Sequence, residues 1–260
     1  MGLLAIIGGS GFQTLPALAV SGQTRAVTSY GSPSAPLMEG HLSGLPVLFL
    51  ARHGPGHRVP PHQINYRANL KALAEAGATQ IIGLAAVGGI ADDCGPGVLC
   101  VPDQLIDYTH GRPNSFYEGG PAGVVHVDFS WPYSPGLRQG LLAAASAAEV
   151  PLRDGGTYGV TQGPRLETAA EVRRLHRDGC DLVGMTAMPE AVLARELGIE
   201  YATLAFVVNW AAGLTAEVIT MDEIQRQIEH CNAAVGRLLT SLAAQHAGAT
   251  PAAGTSAKPD

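Results

Sequence analysis

The strongest constraint on this chain is a recurring run of apolar, β-branched residues. It appears as LLAII (3–7), VLFLA (47–51), QIIGLAAV (80–87), LCVPDQLI (99–106), DLVGM (181–185) and YATLAFVV (201–208). Several runs are apolar almost end to end, which fits strands covered on both faces. Helix-length stretches lie between them. HQINYRANLKALAEAG (62–77) has helical spacing and a glycine stop, and ETAAEVRRLHRDG (167–179) starts acidic and ends basic. PEAVLARELG (189–198) has Pro189 near its first position and Gly198 at its end, and the longest helical pattern covers 221–245. This alternation predicts one α/β domain over residues 1–245. Residues 246–260, rich in Ala, Gly, Pro and Ser, read as a disordered tail.

Composition narrows the function. Of 260 residues, 46% are hydrophobic, enough for a sizeable core. The net charge is −6 with only 16 Lys and Arg, which argues against a nucleic-acid polymer as partner and leaves room for a small anion. No apolar run approaches the roughly 20 residues of a membrane span, so no membrane partner is expected. MGLLAIIGG has neither a basic region nor a cleavage site, which argues against a secretory leader. Cys94, Cys100, Cys180 and Cys231 show no C-x-x-C pairing, so free thiols in a reducing cytoplasm are expected. The nine histidines show no H-E-x-x-H spacing, and no metal site is expected.

Ligands of α/β folds sit at the carboxyl ends of strands. There the sequence places Gly8–Gly11, Arg52-His53, Val87–Gly89 and Asn209. GGSGF is not a dinucleotide fingerprint, because Thr14 stands where a third glycine belongs, and it lacks the GK[ST] ending of a Walker loop. Taken alone it reads as a tight turn. ARHGPGHRVPPH (51–62) is sharper: Arg52 offers a fork for an anion, His53 adds a donor, and three prolines stiffen the loop beyond them. In TQGPRLETAAE (161–171), Gln162 is a candidate reader of a base edge, while Arg165 and Glu167 read equally well as a solvated ion pair. In GMTAMPEAVLARELGI (184–199), Thr186 and the helix start are anion donors or merely a cap, and Glu190 serves the helix dipole. Asn209 must satisfy its amide on backbone or on a ligand.

Taken together, GGSG, RHG…PHQINYRAN, AVGGI, QGPRLET and GMTAMPEAVLARELGI resemble the trimeric purine nucleoside phosphorylase and methylthioadenosine phosphorylase family, from about residue 4 to about 240. VVNWAAG is similar to the bacterial branch acting on methylthioinosine. The resemblance implies a doubly wound α/β fold around a mixed, distorted sheet and a cytoplasmic homotrimer. It implies phosphorolysis of a purine nucleoside by inorganic phosphate as co-substrate, with no organic cofactor or metal. It places Ser10, Arg52, His53, the Ala85-Ala86 backbone and Thr186 at phosphate, and Met185 beneath the ribose. Leu166, Glu167, Asn209, Trp210 and Ala211 fall on the base side, and Met221 and Ile224 around the 5′ substituent. His57 and His126 reach in from a neighbouring subunit. Asn209 and His53 are the catalytic candidates. Ala85 departs from the family, since a hydroxyl residue often stands there.

Residue chemistry adds a specificity. When the purine leaves, N7–H is a donor, and a 6-oxopurine presents an acceptor, O6, beside it. One Asn amide orientation serves both, whereas a 6-aminopurine presents two donors. Asn209 therefore points to 6-oxopurines, and the Gln162 carbonyl suits N1–H. Met221 and Ile224, apolar and one helical turn apart, suit a 5′-methylthio group, although both also read as core. The expected substrate is 5′-methylthioinosine. Methylthioadenosine, plain inosine or guanosine, and a non-catalytic nucleoside-binding protein are the alternatives.

Overall fold

The first strand shows how the sheet is covered. In β1 (Leu3–Gly8), Leu4 and Ile6 enter one apolar cluster while Ala5 and Ile7 enter another. Successive side chains point to opposite faces, so a strand apolar throughout needs a layer on each side. The computed structural model describes residues 2–15, 17–120 and 123–248. In chain order the further elements are β2 (Ala19–Thr24), β3 (Leu37–Leu42), β4 (Leu45–Ala51), α1 (Tyr66–Glu75), β5 (Ala78–Gly89), β6 (Leu99–Val101) and β7 (Gln104–Asp107). They continue with α2 (Pro135–Ala147), β8 (Arg153–Asp154), β9 (Thr157–Val160), α3 (Ala169–Arg177), β10 (Leu182–Gly184), α4 (Ala187–Glu196), β11 (Glu200–Trp210) and α5 (Met221–Gly248).

The strands form one mixed sheet in the order β2-β3-β4-β1-β5-β10-β9-β7, with β11 pairing β5 and β6, and β6 pairing β8. On one face lie α2 and α5, through Leu137, Leu141, Leu238, Leu239 and Leu242. On the other lie α1 and α4, through Leu70, Leu73, Leu193 and Ala194.

Several boundaries differ from the sequence reading. The run 99–106 is two strands, because Pro102 and Asp103 interrupt pairing. The first helix starts only at Tyr66, where the Asn65 side chain accepts from Ala68 N at 3.1 Å and caps it. Met188 is extended (φ −114°, ψ 133°), so regular helical turns begin at Pro189. Helix α2 is an addition to the elements the sequence suggests, although its buried positions Leu137, Leu141, Ala144 and Ala145 keep helical spacing. Strands β2, β3, β8 and β9 are further additions, and AVSGQT of β2 is largely exposed and carries no apolar signature. Helix α5 runs past the expected boundary at 245 to Gly248, and the rest of the expected tail, 249–260, lies outside the described residues.

The central strand makes the opening for a site. Along one edge β5 pairs β11 from Gln80 to Gly89. Along the other it pairs β1 only as far as Gly83, and β10 only from Gly88. Leu84–Val87 therefore face neither strand on that edge. This is a switch point of an open α/β sheet, where backbone groups are left for a ligand.

Candidate active site

A cleft of about 540 Å³ lies over this gap. It is lined by Gly9, Ser10, Arg52, His53, His57, Ala85, Ala86, Leu166, Glu167, Met185, Thr186, Asn209, Ala211, Met221 and Ile224, with Arg58–Pro61 and Ile219 at its margin. Sequence positions from 9 to 224 thus converge as expected. One expected residue does not: Trp210 faces elsewhere. His126, expected to reach the cleft of a neighbouring subunit, is exposed and clear of its own. His57, expected to reach in from a neighbouring subunit, lines the cleft of its own chain.

The glycine loop sits close against the gap. A Cβ on Gly9 would come within 2.6 Å of the Leu84 carbonyl oxygen and 2.8 Å of Arg52 Nη1, so only glycine lets the loop approach. Phe12 N donates to Gly9 O at 3.0 Å and closes the turn that carries Ser10. Leu84 points its carbonyl into the gap, where it accepts from Arg52 Nη1 at 2.7 Å. By the period of two along a strand, the Ala86 N–H points the same way and is free of β1 and β10. A side-chain hydroxyl is absent at Ala85, but this backbone donor remains.

Arg52 differs from the open anion fork that the sequence suggested. It is 1% exposed and forms a two-point pair with Glu190, which is 0% exposed: Nε donates to Oε1, and Nη2 to Oε2 at 2.9 Å. Tyr201 Oη donates to the same Oε2 at 2.9 Å. Burial works against the Arg52 charge, but the Glu190 carboxylate outweighs it and raises the Arg52 pKa. Glu190 is thus the counter-ion of Arg52 rather than a dipole residue. Of five guanidinium hydrogens, three are spent on Glu190 and Leu84 O, so Arg52 offers the cleft N–H donors but little net charge. An acidic residue inside the apolar stretch AMPEAVLA was the available signal.

His53 is held by its loop. Its Nδ1 donates to Val59 O at 2.8 Å, and Val59 N donates back to His53 O at 2.9 Å. The Gly- and Pro-rich stretch exists to make this return, with Gly54 and Gly56 at φ 69° and 68°. His53 and His57 are four apart, but their rings lie against each other, 4.2 Å between centroids and tilted by 31°, rather than converging on one point. Burial, then Arg52, pulls the His53 pKa down to about 3 and lowers that of His57. Among the described residues no group of three His, Cys, Asp or Glu is placed to hold a metal ion.

At the far end of the cleft, a bulge decides which residues face in. Val207 stands opposite Val87 and Asn209 opposite Gly88, so Val208 is an inserted residue. Val208 and Asn209 then both line the cleft, while the Trp210 ring packs on the other side, where a Cβ on Gly95 would lie 3.1 Å from Cζ2. This corrects the placing of Trp210 on the base side. Asn209 Nδ2 donates to Trp210 O at 2.7 Å. Since a carbonyl only accepts, this orients the amide and leaves Oδ1 open.

Gln162 is also corrected. Its Oε1 already accepts from His110 N and Arg112 Nε, both at 3.2 Å, and it lines a neighbouring hollow instead. Arg165 pairs with Glu171, at 2.8 and 2.7 Å, rather than with Glu167. Glu167 accepts from Thr161 Oγ1 at 2.6 Å and keeps its second oxygen for the cleft. Arg112, which carries no signal in the sequence, is 7% exposed and ties two walls together. Nη1 donates to Met185 O and Met188 O at 2.8 and 2.6 Å, and Nη2 to Thr161 O and Gln162 O at 3.3 and 2.8 Å. Nothing periodic in HGRPNSF announces this role.

The fold and cleft define an α/β protein that holds a ligand at the switch point of a mixed sheet. Residues 3–244 match the Phosphorylase superfamily, and the chain belongs to that family. It is 54% identical over 241 residues to a "Probable S-methyl-5'-thioinosine phosphorylase" of Xanthomonas campestris pv. campestris, covering 92% of this chain and 96% of that one. It is 46% identical over 226 residues to the "6-oxopurine nucleoside phosphorylase" of Pyrococcus furiosus, covering 85% and 84%. A methylthioadenosine phosphorylase from Schistosoma mansoni, solved with adenine, superposes with a TM-score of 0.91 at 31% identity, over 96% of this chain and 93% of that one.

Proposed function

We propose that this chain is a 6-oxopurine nucleoside phosphorylase that converts S-methyl-5′-thioinosine and phosphate to hypoxanthine and 5-methylthioribose 1-phosphate. The C1′–N9 bond breaks and a C1′–O bond to phosphate forms. The base leaves with the electron pair, and its charge is relieved as N7 takes or shares a proton. The reaction needs neither an organic cofactor nor a metal. Phosphate is held by Ser10, Thr186, the Ala86 N–H, Arg52 and His53, at the gap in β5. From there it stabilises the positive charge developing at C1′ and then captures that carbon. Met185 supports the ribose. Leu166, Glu167, Asn209 and Ala211 surround the base, and Met221 and Ile224 the 5′ group.

The observation that carries this reading is the Asn209 amide, turned so that Oδ1 is open and one Nδ2 hydrogen is held by Trp210 O. Oδ1 accepts from N7–H, and the second Nδ2 hydrogen meets O6. Met221 supports the 5′ preference, since it lines the cleft at 72% exposure and is not a core residue. We infer a cytoplasmic homotrimer. Val124, Val125 and Trp131, close to His126 along the chain, are exposed at 77%, 40% and 62%, large apolar side chains of the kind another copy covers. His126 would then serve a neighbouring cleft.

The test is phosphate-dependent base release from methylthioinosine, methylthioadenosine, inosine and guanosine in parallel. Methylthioinosine is expected to have the highest kcat/KM. A higher value for methylthioadenosine refutes the Asn209 argument, and a higher value for inosine refutes the 5′ assignment. Binding without release of base refutes catalysis.

A further inference from the structure

Thr186 heads α4 but does not cap it. Its side chain makes no cap hydrogen bond, it is 8% exposed, and it lines the cleft. The hydroxyl is therefore left for other partners. It carries one hydrogen, which rotates to suit whatever acceptor lies nearby. A phosphate oxygen needs that hydrogen, so the hydroxyl has to be turned outward.

Beneath the turn Gly184-Met185-Thr186 stands a phenol. Tyr158, on β9, is fully buried and does not line the cleft. Its Oη lies only 2.2 Å from where a Cβ on Gly184 would stand, so the glycine makes room for this oxygen. Among the described residues no group closes a hydrogen bond of ordinary geometry on Tyr158 Oη. A buried hydroxyl in that state costs free energy and calls for a partner. Two neighbouring acceptors are already engaged. The Gly184 carbonyl takes Thr161 N at 2.8 Å. Both Glu190 oxygens take Arg52, and one also takes Tyr201 Oη at 2.9 Å. Burial pushes the Tyr158 pKa up to about 12, while Arg52 and then the hydroxyl and N–H of Thr186 draw it down, which sets Thr186 against Oη.

We propose that Tyr158 is the positioning residue of Thr186: as phosphate binds, the phenol O–H donates to Thr186 Oγ1, and the Thr186 hydrogen is turned outward to a phosphate oxygen. The inference rests on the phosphate reading above. A hydroxyl that accepts one hydrogen bond keeps its own hydrogen for another partner, and the first bond polarises it into a better donor. Such bonds are commonly long in the free protein and tighten in the complex. No covalent bond changes, and Tyr158 itself touches neither reactant.

The test is Tyr158→Phe in the full-length protein, with phosphate varied at saturating methylthioinosine and the converse. Loss of the orienting bond is expected to lower kcat/KM for phosphate about 3- to 10-fold. The nucleoside KM is expected to stay within about twofold. The urea midpoint without phosphate is expected to hold or rise, because Phe fills the same space and removes a buried hydroxyl that has no closed bond. Thr186→Val is expected to cost at least as much for phosphate, and adding Tyr158→Phe to it is expected to cost nothing more. Thr186→Ser keeps the hydroxyl and is expected to keep the dependence on Tyr158. In the wild type, the ¹³Cζ resonance of Tyr158 is expected to move when phosphate is added and to stay when hypoxanthine is added.

An unchanged kcat/KM for phosphate in Tyr158→Phe overturns this inference and leaves the phosphate site standing. So does a rise in the nucleoside KM as large as the phosphate loss, with a lower urea midpoint, because that is a packing role. So do additive losses in the double variant, or a Cζ resonance that ignores phosphate. If Thr186→Val leaves kcat/KM for phosphate unchanged, or base release needs no phosphate, the phosphate reading falls, and this inference with it.

Discussion

Replacing Asn209 by Asp tests base recognition at one atom. In the protein, Nδ2 lies 2.7 Å from Trp210 O and donates to it. With a 6-oxopurine the second Nδ2 hydrogen finds O6. With a 6-aminopurine it faces another donor, and an unpaired buried donor costs about 1–3 kcal/mol. Turning the amide over to avoid this loses the Trp210 bond, about 1 kcal/mol, and puts a donor against N7–H. Asn209 should therefore favour the oxo base by about 5- to 150-fold from this contact alone. Asn209→Asp removes the donor and sets a carboxylate oxygen against Trp210 O. The kcat/KM for methylthioinosine should fall, and its ratio to that for methylthioadenosine should drop by about 5- to 150-fold. The assay is base release at saturating phosphate with both nucleosides. A ratio within about threefold of the wild-type value would refute the reasoning, because the amide would then not be reading position 6.

Other perturbations separate positioning from packing. Arg112→Met strands the carbonyls of Met185, Met188, Thr161 and Gln162, and should lower unfolding free energy in urea by about 3 kcal/mol or more. It should also raise KM for the nucleoside. Met221→Ser, on an exposed lip, should change stability by less than about 0.5 kcal/mol. It should raise KM for methylthioinosine about 3- to 10-fold, with inosine unaffected in parallel assays. His53 is held neutral down to about 3 but titrates near 6.5 when unfolded. Below 6.5 only the unfolded chain takes the proton, so its contribution is fully present above 6.5 and is lost as pH falls towards 3. Without phosphate, the wild type should lose up to about 1.4 kcal/mol per pH unit there, relative to His53→Gln, in denaturant titrations.

The α/β class and the strand-end part of the cleft were legible in the sequence because both follow from local order, whereas Leu166, Met185, Met221 and Ile224 were reached only through the family resemblance. Apolar runs such as LLAII and YATLAFVV have to be strands covered twice, and a ligand site falls where such strands end, at Ser10, Arg52 and Asn209. Helix stops at Gly179 and Gly198 are likewise written in single residues. Partnership is not. Whether Glu190 serves its helix or neutralises Arg52 depends on two segments 138 positions apart meeting in a dry interior. Whether Trp210 faces the base depends on a bulge of one residue at Val208, which depends in turn on register against β5. Arg112 carries no pattern, because its acceptors are backbone carbonyls that only the folded chain brings within reach. Pattern along a chain reports which faces are buried. Only tertiary structure decides which buried groups answer one another, because hydrogen bonds and charge pairs act over a few ångströms of space, whatever the distance along the sequence.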